Sequence, residues 1–288
     1  MADPKLIKQL RELTGAGILE CKEALEKNNW EVQGSVQWLR KRGTIKATKK
    51  LSRVSNDGVI SLAENIENKS VLLLEIKTET DFVARNDKFH NLASKVSQSL
   101  LNWDEKSNVE EHKVTQDLSV KDILIEGIAT IGEKIALGKI RKFQAMENEI
   151  IGIYLHNSVG KGLAKIGAMV KIKSQSTNID ILKELANKLS VHIAANSPLC
   201  ISPEHIPTEI LEKERSIFLE QDFGNKPANI IDKIIENKVN EFKNSISLLK
   251  QGYVFEQKKT VEDILEETSK VLGTKIAVLD FVRLAVGE

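Results

Sequence analysis

The chain has 288 residues, too many for one small core and enough for two or three modules. Hydrophobic residues make up 41% and charged residues 29%, the balance of a soluble globular protein, and aromatics at 5% leave the core to Ile, Leu, Val and Ala. Forty-two Lys and Arg against 41 Asp and Glu give a net charge of +1, so bulk charge directs the chain toward neither nucleic acid nor membrane.

Residues 1 to about 42 read as three short helices. Asp3-Pro4 is a cap followed by a proline at the first helical position, and Leu6, Ile7, Leu10 and Leu13 follow at helical spacing. Gly15 and Gly17 end that helix and open the next, whose stripe is Ile18, Cys21 and Leu25. Asn28-Asn29 suits a left-handed turn. Val32, Val36 and Leu39 make the third stripe, with Trp30 and Trp38 to close a very small core. Residues 40–56 then carry Arg40, Lys41, Arg42, Lys46, Lys49, Lys50 and Arg53 with no acid among them, a basic linker or an exposed helix end. A nucleic-acid patch is the alternative, weakened because no aromatics interleave the charges. Residues 1–50 are thus expected to form an N-terminal domain with a basic linker.

The remainder contains an internal repeat. Gly58-Val59-Ile60-Ser61-Leu62 resembles Gly152-Ile153-Tyr154-Leu155-His156, and Leu92-Ala93-Ser94-Lys95-Val96-Ser97 resembles Leu185-Ala186-Asn187-Lys188-Leu189-Ser190. Each copy reads as a strand, a second strand (Val71 to Lys77; Ala168 to Lys173) and a helix, because short Val-, Ile- and Leu-rich runs suit strands. The expected fold class is α+β, with a core of two subdomains, 55–147 and 148–288. The second subdomain adds helices over 208–221 and 228–244 around Asp222-Phe223-Gly224-Asn225-Lys226-Pro227, a helical hairpin of about 208–244 with Ile231, Ile235 and Phe242 along one side. A helix with a capping-box-like start at Thr260 and Asp263, then a strand from Ile276 to Leu284, close the chain.

Between second strand and helix the first copy is three residues longer than the second, and Asp81-Phe82 lies in that extra stretch. Phe82 reads either as a projecting recognition tip or as a core residue behind a helix capped by Asp81. Other chemistry is sparse. Gly127-x4-Gly132 continues with Glu133 and Lys134, and a carboxylate there would face the phosphates, so no phosphate loop and no direct nucleotide binding is expected. Gly15-Ala16-Gly17 lies between helices and is no dinucleotide fingerprint. His90, His112, His156, His192 and His205 lack metal-ligand spacing, and no Ser, His and Asp set stands out, so no metal, cofactor or catalytic group is expected. His192 reads as a packing residue, His156 as a turn residue and Arg11 as a solvated charge. Cys21 and Cys200 read as free thiols of a reducing cytosol, or as a pair if the fold joins them. Met1-Ala2-Asp3-Pro4 lacks the look of a signal or transit peptide, and no apolar stretch approaches the ~20 residues of a membrane helix. The expected location is cytoplasmic.

Five segments, in order along the chain, resemble the elongation factor Ts family. They are Leu10-Arg11 with Thr14-Gly15-Ala16-Gly17, Cys21-Lys22 and Ala24-Leu25; Trp38-Leu39-Arg40-Lys41-Arg42-Gly43; Thr80-Asp81-Phe82-Val83-Ala84-Arg85; His192-Ile193-Ala194-Ala195 with Pro198; and Leu248-Leu249 with Gln251. Leu19, Glu20 and Asn28-Asn29 depart mildly from the family pattern. The resemblance implies a ubiquitin-associated-like three-helix head and a two-part α+β core carrying an antiparallel coiled coil. It also implies guanine-nucleotide exchange on elongation factor Tu, without bond-making chemistry and so not as an enzyme. By the same resemblance Thr80, Asp81, Phe82 and Val83 form a wedge that dislodges Mg²⁺ from that GTPase, and Arg11 and His156 meet the same partner. An RNA-binding module using the basic stretch, or a hydrolase or transferase, are the other classes open to the residues alone.

Overall fold

The computed structural model describes residues 3–50, 52–67, 69–224 and 227–288. The side chains of 44–49, and with them Lys46 and Lys49, lie outside the described residues, as do Asn225 and Lys226 of the expected hairpin turn. The chain divides into two compact units. Unit 1 comprises Met1–Gln144, Leu155–Gly167 and Leu284–Glu288, and unit 2 comprises Ala145–Tyr154 and Ala168–Arg283.

Unit 1 opens with α1 (Pro4–Thr14), α2 (Ile18–Lys27) and α3 (Val32–Lys50). Asp3 caps α1 by accepting from the Lys5 amide, and Gly15 ends it at φ 67°. That left-handed backbone favours a residue without Cβ. Leu10, Cys21, Ala24 and Leu25 form the small core, with Trp30 and Trp38 packed against it. Leu13 and Ile18, expected in the stripes, are instead 64% and 57% exposed. Of the two readings of the basic stretch the structure has the helix end, with α3 continuing to Lys50, and not a connector from residue 40. The helix continues past Gly43 because α3 lies against a later helix, where a Cβ at Gly43 would stand 2.8 Å from the Ala129 Cβ. Cys21 is buried, Cys200 is half-buried, and both are free thiols. Burial pushes the Cys21 thiol pKa up.

An antiparallel sheet follows, so the fold is mixed α and β. β1 (Asp57–Asn65) and β2 (Ser70–Thr78) form a hairpin in continuous register from Asp57↔Thr78 to Asn65↔Ser70. A one-turn helix α4 (Asp81–Ala84) leads to α5 (Asp87–Leu100), where a loop was expected. Next come α6 (Val120–Ile131) and β3 (Ile135–Gln144). Strand order is β3-β2-β1, continued by β5 (Leu163–Ser174), which follows β4 (Glu149–Gly160) in the chain and pairs with β1 through Ile60↔Ala164 and Ser61↔Leu163. β2 is buried along nearly its whole length, as a central strand flanked on both edges must be. Phe89, Leu92 and Val96 of α5 and Ile123 and Ile128 of α6 complete the core with Leu72, Leu74 and Ile76.

The β2–β3 ladder contains one irregularity. Leu74 pairs with Ile140 but Ile76 pairs with Leu137, so β3 carries one extra residue. The bulge is filled by Glu75, which is fully buried. Its Oε2 accepts the Lys139 amide at 3.2 Å and its Oε1 accepts the Gly287 amide at 3.1 Å. Gly138 makes room, since a Cβ there would lie 2.1 Å from Glu75 Oε2. The Val286 amide bonds the Lys165 carbonyl at 3.0 Å, so the last five residues lie along unit 1.

In unit 2, α7 (Ile179–Asn196) buries Leu182, Leu185, Leu189 and Ile193 on one face. The two expected hairpin helices are α8 (Thr208–Leu219) and α9 (Ala228–Ile246). A short hairpin of β6 (Gly252–Tyr253) and β7 (Glu256–Thr260), α10 (Val261–Leu272) and β8 (Ile276–Ala285) follow, with β8 paired to β5. Thr260 and Asp263 form the reciprocal capping box at the start of α10. His192 is a packing residue, fully buried. Its Nε2 donates to Gln251 Oε1 at 2.9 Å, and its Nδ1 accepts the Val254 amide at 3.2 Å. Both ring nitrogens are satisfied by the neutral imidazole, and burial lowers the pKa.

Two outcomes follow from these packed polar groups. Gly138→Ala should destabilise the protein by about 1–3 kcal/mol, because the added methyl meets the Glu75 carboxyl in a filled site. A urea melt with an unchanged midpoint would show that Glu75 has room to move. Because His192 titrates below its free value of 6.5 in the folded chain, its contribution to stability is complete above pH 6.5 and is lost as pH falls below it. Between pH 7.5 and 5.5 the native chain should lose more stability than His192→Gln. Equal losses in the two proteins would place the titrating proton elsewhere.

Candidate functional site

The end of β2 sets the site. Thr78 is the last residue of the strand, and two residues on Thr80 becomes the N-cap of α4, its hydroxyl accepting from the Val83 amide at 3.4 Å. Thr80, not Asp81, is therefore the cap. Asp81 stands at the first helical position, where a carboxylate favours the helix N-terminus, and pairs with Arg85 one turn on at 3.6 Å. Val83 packs against the main core and Ala84 is fully buried. Phe82 stands two residues before Ala84, roughly 200° away around a helix. With Val83 and Ala84 turned inward, Phe82 faces solvent and is 83% exposed.

The turn is fixed at both ends. At its start, the Glu133 carboxylate takes three hydrogen bonds. The Thr78 hydroxyl and the Thr80 amide donate to Oε2, each at 3.0 Å, and the Thr80 hydroxyl donates to Oε1 at 2.7 Å. At its end, His90 Nε2 lies 2.8 Å from the Ala84 carbonyl. The Ala84, Arg85 and Asn86 amides close back onto the carbonyls of Thr80, Phe82 and Val83. Beside the turn, Glu79 accepts the Lys134 amide at 2.6 Å and pairs with Arg53 at 3.1 Å. The Lys134 amide and then the Arg53 guanidinium hold the Glu79 carboxyl below the usual carboxylate range.

Thr80, Asp81, Phe82 and Val83 thus form one contiguous feature, a rigid turn presenting an aromatic side chain. Arg11 is exposed on the last turn of α1. His156 is exposed within β4 rather than in a turn after it. Leu13, Ile18 and Leu19, at 64%, 57% and 81% exposure, add apolar surface where α1 meets α2. Glu133 was visible in the sequence only as the residue that spoils a phosphate loop. Gly127 lies inside α6, with Leu92 Cδ1 2.3 Å from where its Cβ would be, and Gly132 is the left-handed C-cap of that helix at φ 91°. Neither glycine belongs to a strand-to-helix loop of the phosphate-binding kind. Among the described residues, no helix is long and apolar enough to cross a membrane.

Comparison with known proteins bears on the same segment. The family model described as elongation factor TS matches residues 79–288, beginning at the residue before Thr80. The elongation factor Ts of Caulobacter vibrioides is 37% identical over 287 residues, covering 98% of this chain and 91% of its own. That of Allorhizobium ampelinum is 35% identical over 287 residues, with 98% and 92% covered. That of Rickettsia bellii is 34% identical over 283 residues, with 98% and 91% covered. With a family match over most of the chain and relatives aligned along nearly all of it, the chain belongs to the elongation factor Ts family.

Proposed function

We propose that the chain is a guanine-nucleotide exchange factor of translation elongation, acting in the cytoplasm on elongation factor Tu. It binds the GDP-loaded GTPase, Mg²⁺ is dislodged, GDP leaves and GTP can enter. The observation that carries this reading is Phe82, a large apolar side chain 83% exposed on a turn whose neighbours are all anchored. An exposed phenylalanine contributes little to the free protein and much to a complex that buries it.

The mechanism needs no covalent chemistry. A GTPase holds its nucleotide through backbone amides and a Mg²⁺ bridging the phosphates. A wedge that fits only the opened GTPase shifts the population toward that state. By linkage, factor and nucleotide weaken each other's binding by equal amounts, typically ~1–3 kcal/mol. Phe82 is the wedge, Asp81 assists beside it, and Thr80 and Val83 hold the turn. Arg11, with exposed Leu13, Ile18 and Leu19, gives residues 1–50 the character of a docking head of the ubiquitin-associated type, and His156 lies on a further contact surface. The core subdomains are 55–147 and 148–288, with α8 and α9 as the two arms of an antiparallel coiled coil. The chain itself binds no nucleotide and no nucleic acid.

Phe82→Ala should change folding stability by less than ~1 kcal/mol, against the ~3–5 kcal/mol of a core phenylalanine such as Phe89. Release of a fluorescent GDP from elongation factor Tu, followed by stopped flow, should slow about thirtyfold, equivalent to ~2 kcal/mol at 1.36 kcal/mol per tenfold. Asp81→Ala should act in the same direction, and the pair should be non-additive. Unchanged release by Phe82→Ala, with urea melts showing an intact fold, would remove the wedge.

A further inference from the structure

We propose that Glu133 is the positioning residue of the exchange reaction, its carboxylate fixing the Thr80–Arg85 turn so that Phe82 is presented in one orientation. The inference rests on the exchange reading above, in which Phe82 enters the partner.

Three donors converge on this one carboxylate, and two of them belong to Thr80. Hydrogen bonds to an ionised acceptor are about twice as strong as neutral ones. The Thr80 hydroxyl gives its proton to Glu133, and that leaves its lone pairs for the Val83 amide. The cap of α4 is therefore oriented by Glu133 and not by Thr80 alone.

A one-turn helix needs such help. Isolated helices shorter than roughly 12 residues are marginal in water, and α4 has four residues. Without the clasp, Thr80 to Arg85 would sample many backbone states, and the cost of ordering them would fall on the encounter with the partner. With it, that ordering is completed during folding.

Glu133 is itself held from behind. Lys50 Nζ donates to the Gly132 carbonyl. The Lys134 amide goes to Glu79, and Lys134 Nζ donates to the Arg53 carbonyl at 2.7 Å. The three-residue turn 132–134 is thus braced by the end of α3 on one side and grips the wedge turn on the other. A carboxylate on so short and braced a segment cannot follow the tip if the tip moves.

The test is a double-mutant cycle read in two ways. Stopped-flow release of fluorescent GDP from elongation factor Tu is measured for the native chain, Glu133→Ala, Phe82→Ala and the double variant. Hydrogen exchange of the Ala84, Arg85 and Asn86 amides is measured in each free protein. Glu133→Ala should slow release about tenfold, which corresponds to about 1.4 kcal/mol, and should speed exchange of those amides. In the Phe82→Ala background it should add much less slowing, because Glu133 acts through the turn whose main contact is Phe82. Glu133→Gln, which keeps an acceptor oxygen and removes the charge, should show a smaller effect in the same direction and serves if Glu133→Ala does not fold. The proposal is overturned if Phe82→Ala slows release while Glu133→Ala does not. It is equally overturned if Glu133→Ala slows release to the same extent with and without Phe82. If Phe82→Ala itself has no effect, the exchange reading fails, and unchanged amide protection in Glu133→Ala would then dispose of the clasp as well.

Discussion

The one-residue bulge in β3 is the constraint that organises unit 1. Before it, Leu74 pairs with Ile140; beyond it, Thr78 pairs with Ile135. Extending the second register past the strand end sets Thr80 opposite Glu133, where the carboxylate meets the Thr80 amide and hydroxyl. In the first register Lys134 would stand there, and an ammonium cannot accept either hydrogen. A one-residue slip exchanges the two faces of a strand, so the bulge decides which side chain reaches the turn that carries Phe82. Glu75 and Gly138 fix the bulge, one by filling it and one by leaving room. The cost of burying Glu75 is offset by the amides of Lys139 and Gly287.

The same arrangement explains how an aromatic side chain stays outside. β2 is buried almost throughout, so its end is a fixed point rather than a fraying one. The chain leaves it through Thr80, makes one helical turn and is drawn back by Val83 and Ala84. A single exposed phenylalanine between charged neighbours, Asp81 and Arg85, adds little exposed apolar surface. A projecting aromatic side chain and a largely polar surface around it are therefore compatible.

Much of this was legible in the sequence, and the failures have physical causes. The strands β2 and β5 were readable as apolar runs of Val, Ile, Leu and Met, and α5 and α7 by their helical spacing. The motif around Phe82 was readable as a family resemblance, but its exposure was not, because spacing alone does not say which way a one-turn helix faces. The alternative that placed Phe82 in the core behind a cap at Asp81 fails because the cap is Thr80, which leaves Asp81 at the first helical position. The clasp was invisible, since Glu133 lies 53 residues from Thr80 and only the register brings them together. α6 could have been found, because Ser119 and Asp122 form a capping box before an apolar run. The basic stretch left a linker and a helix end equally open, because its charges hid the packing surface at Gly43 and Ala129, a pairing with no local signature. Leu13 and Ile18 kept helical spacing yet point outward, so periodicity overstated the head's core.

The return of the chain's last residues to unit 1 bears on the order in which the protein is made. Unit 1 is assembled from three segments, and the third, Leu284–Glu288, emerges after all of unit 2. During synthesis from the N-terminus, Glu75 is built early, yet the Gly287 amide that its Oε1 accepts arrives more than two hundred residues later. Until then the nascent sheet holds a carboxylate that is only partly satisfied, and β5 lacks its contact with Val286. Domains generally fold as units as they leave the ribosome, but here the first-made unit is the last to be completed. The final consolidation of the bulge, and with it the register beneath the turn that carries Phe82, waits until the whole of unit 2 has been made.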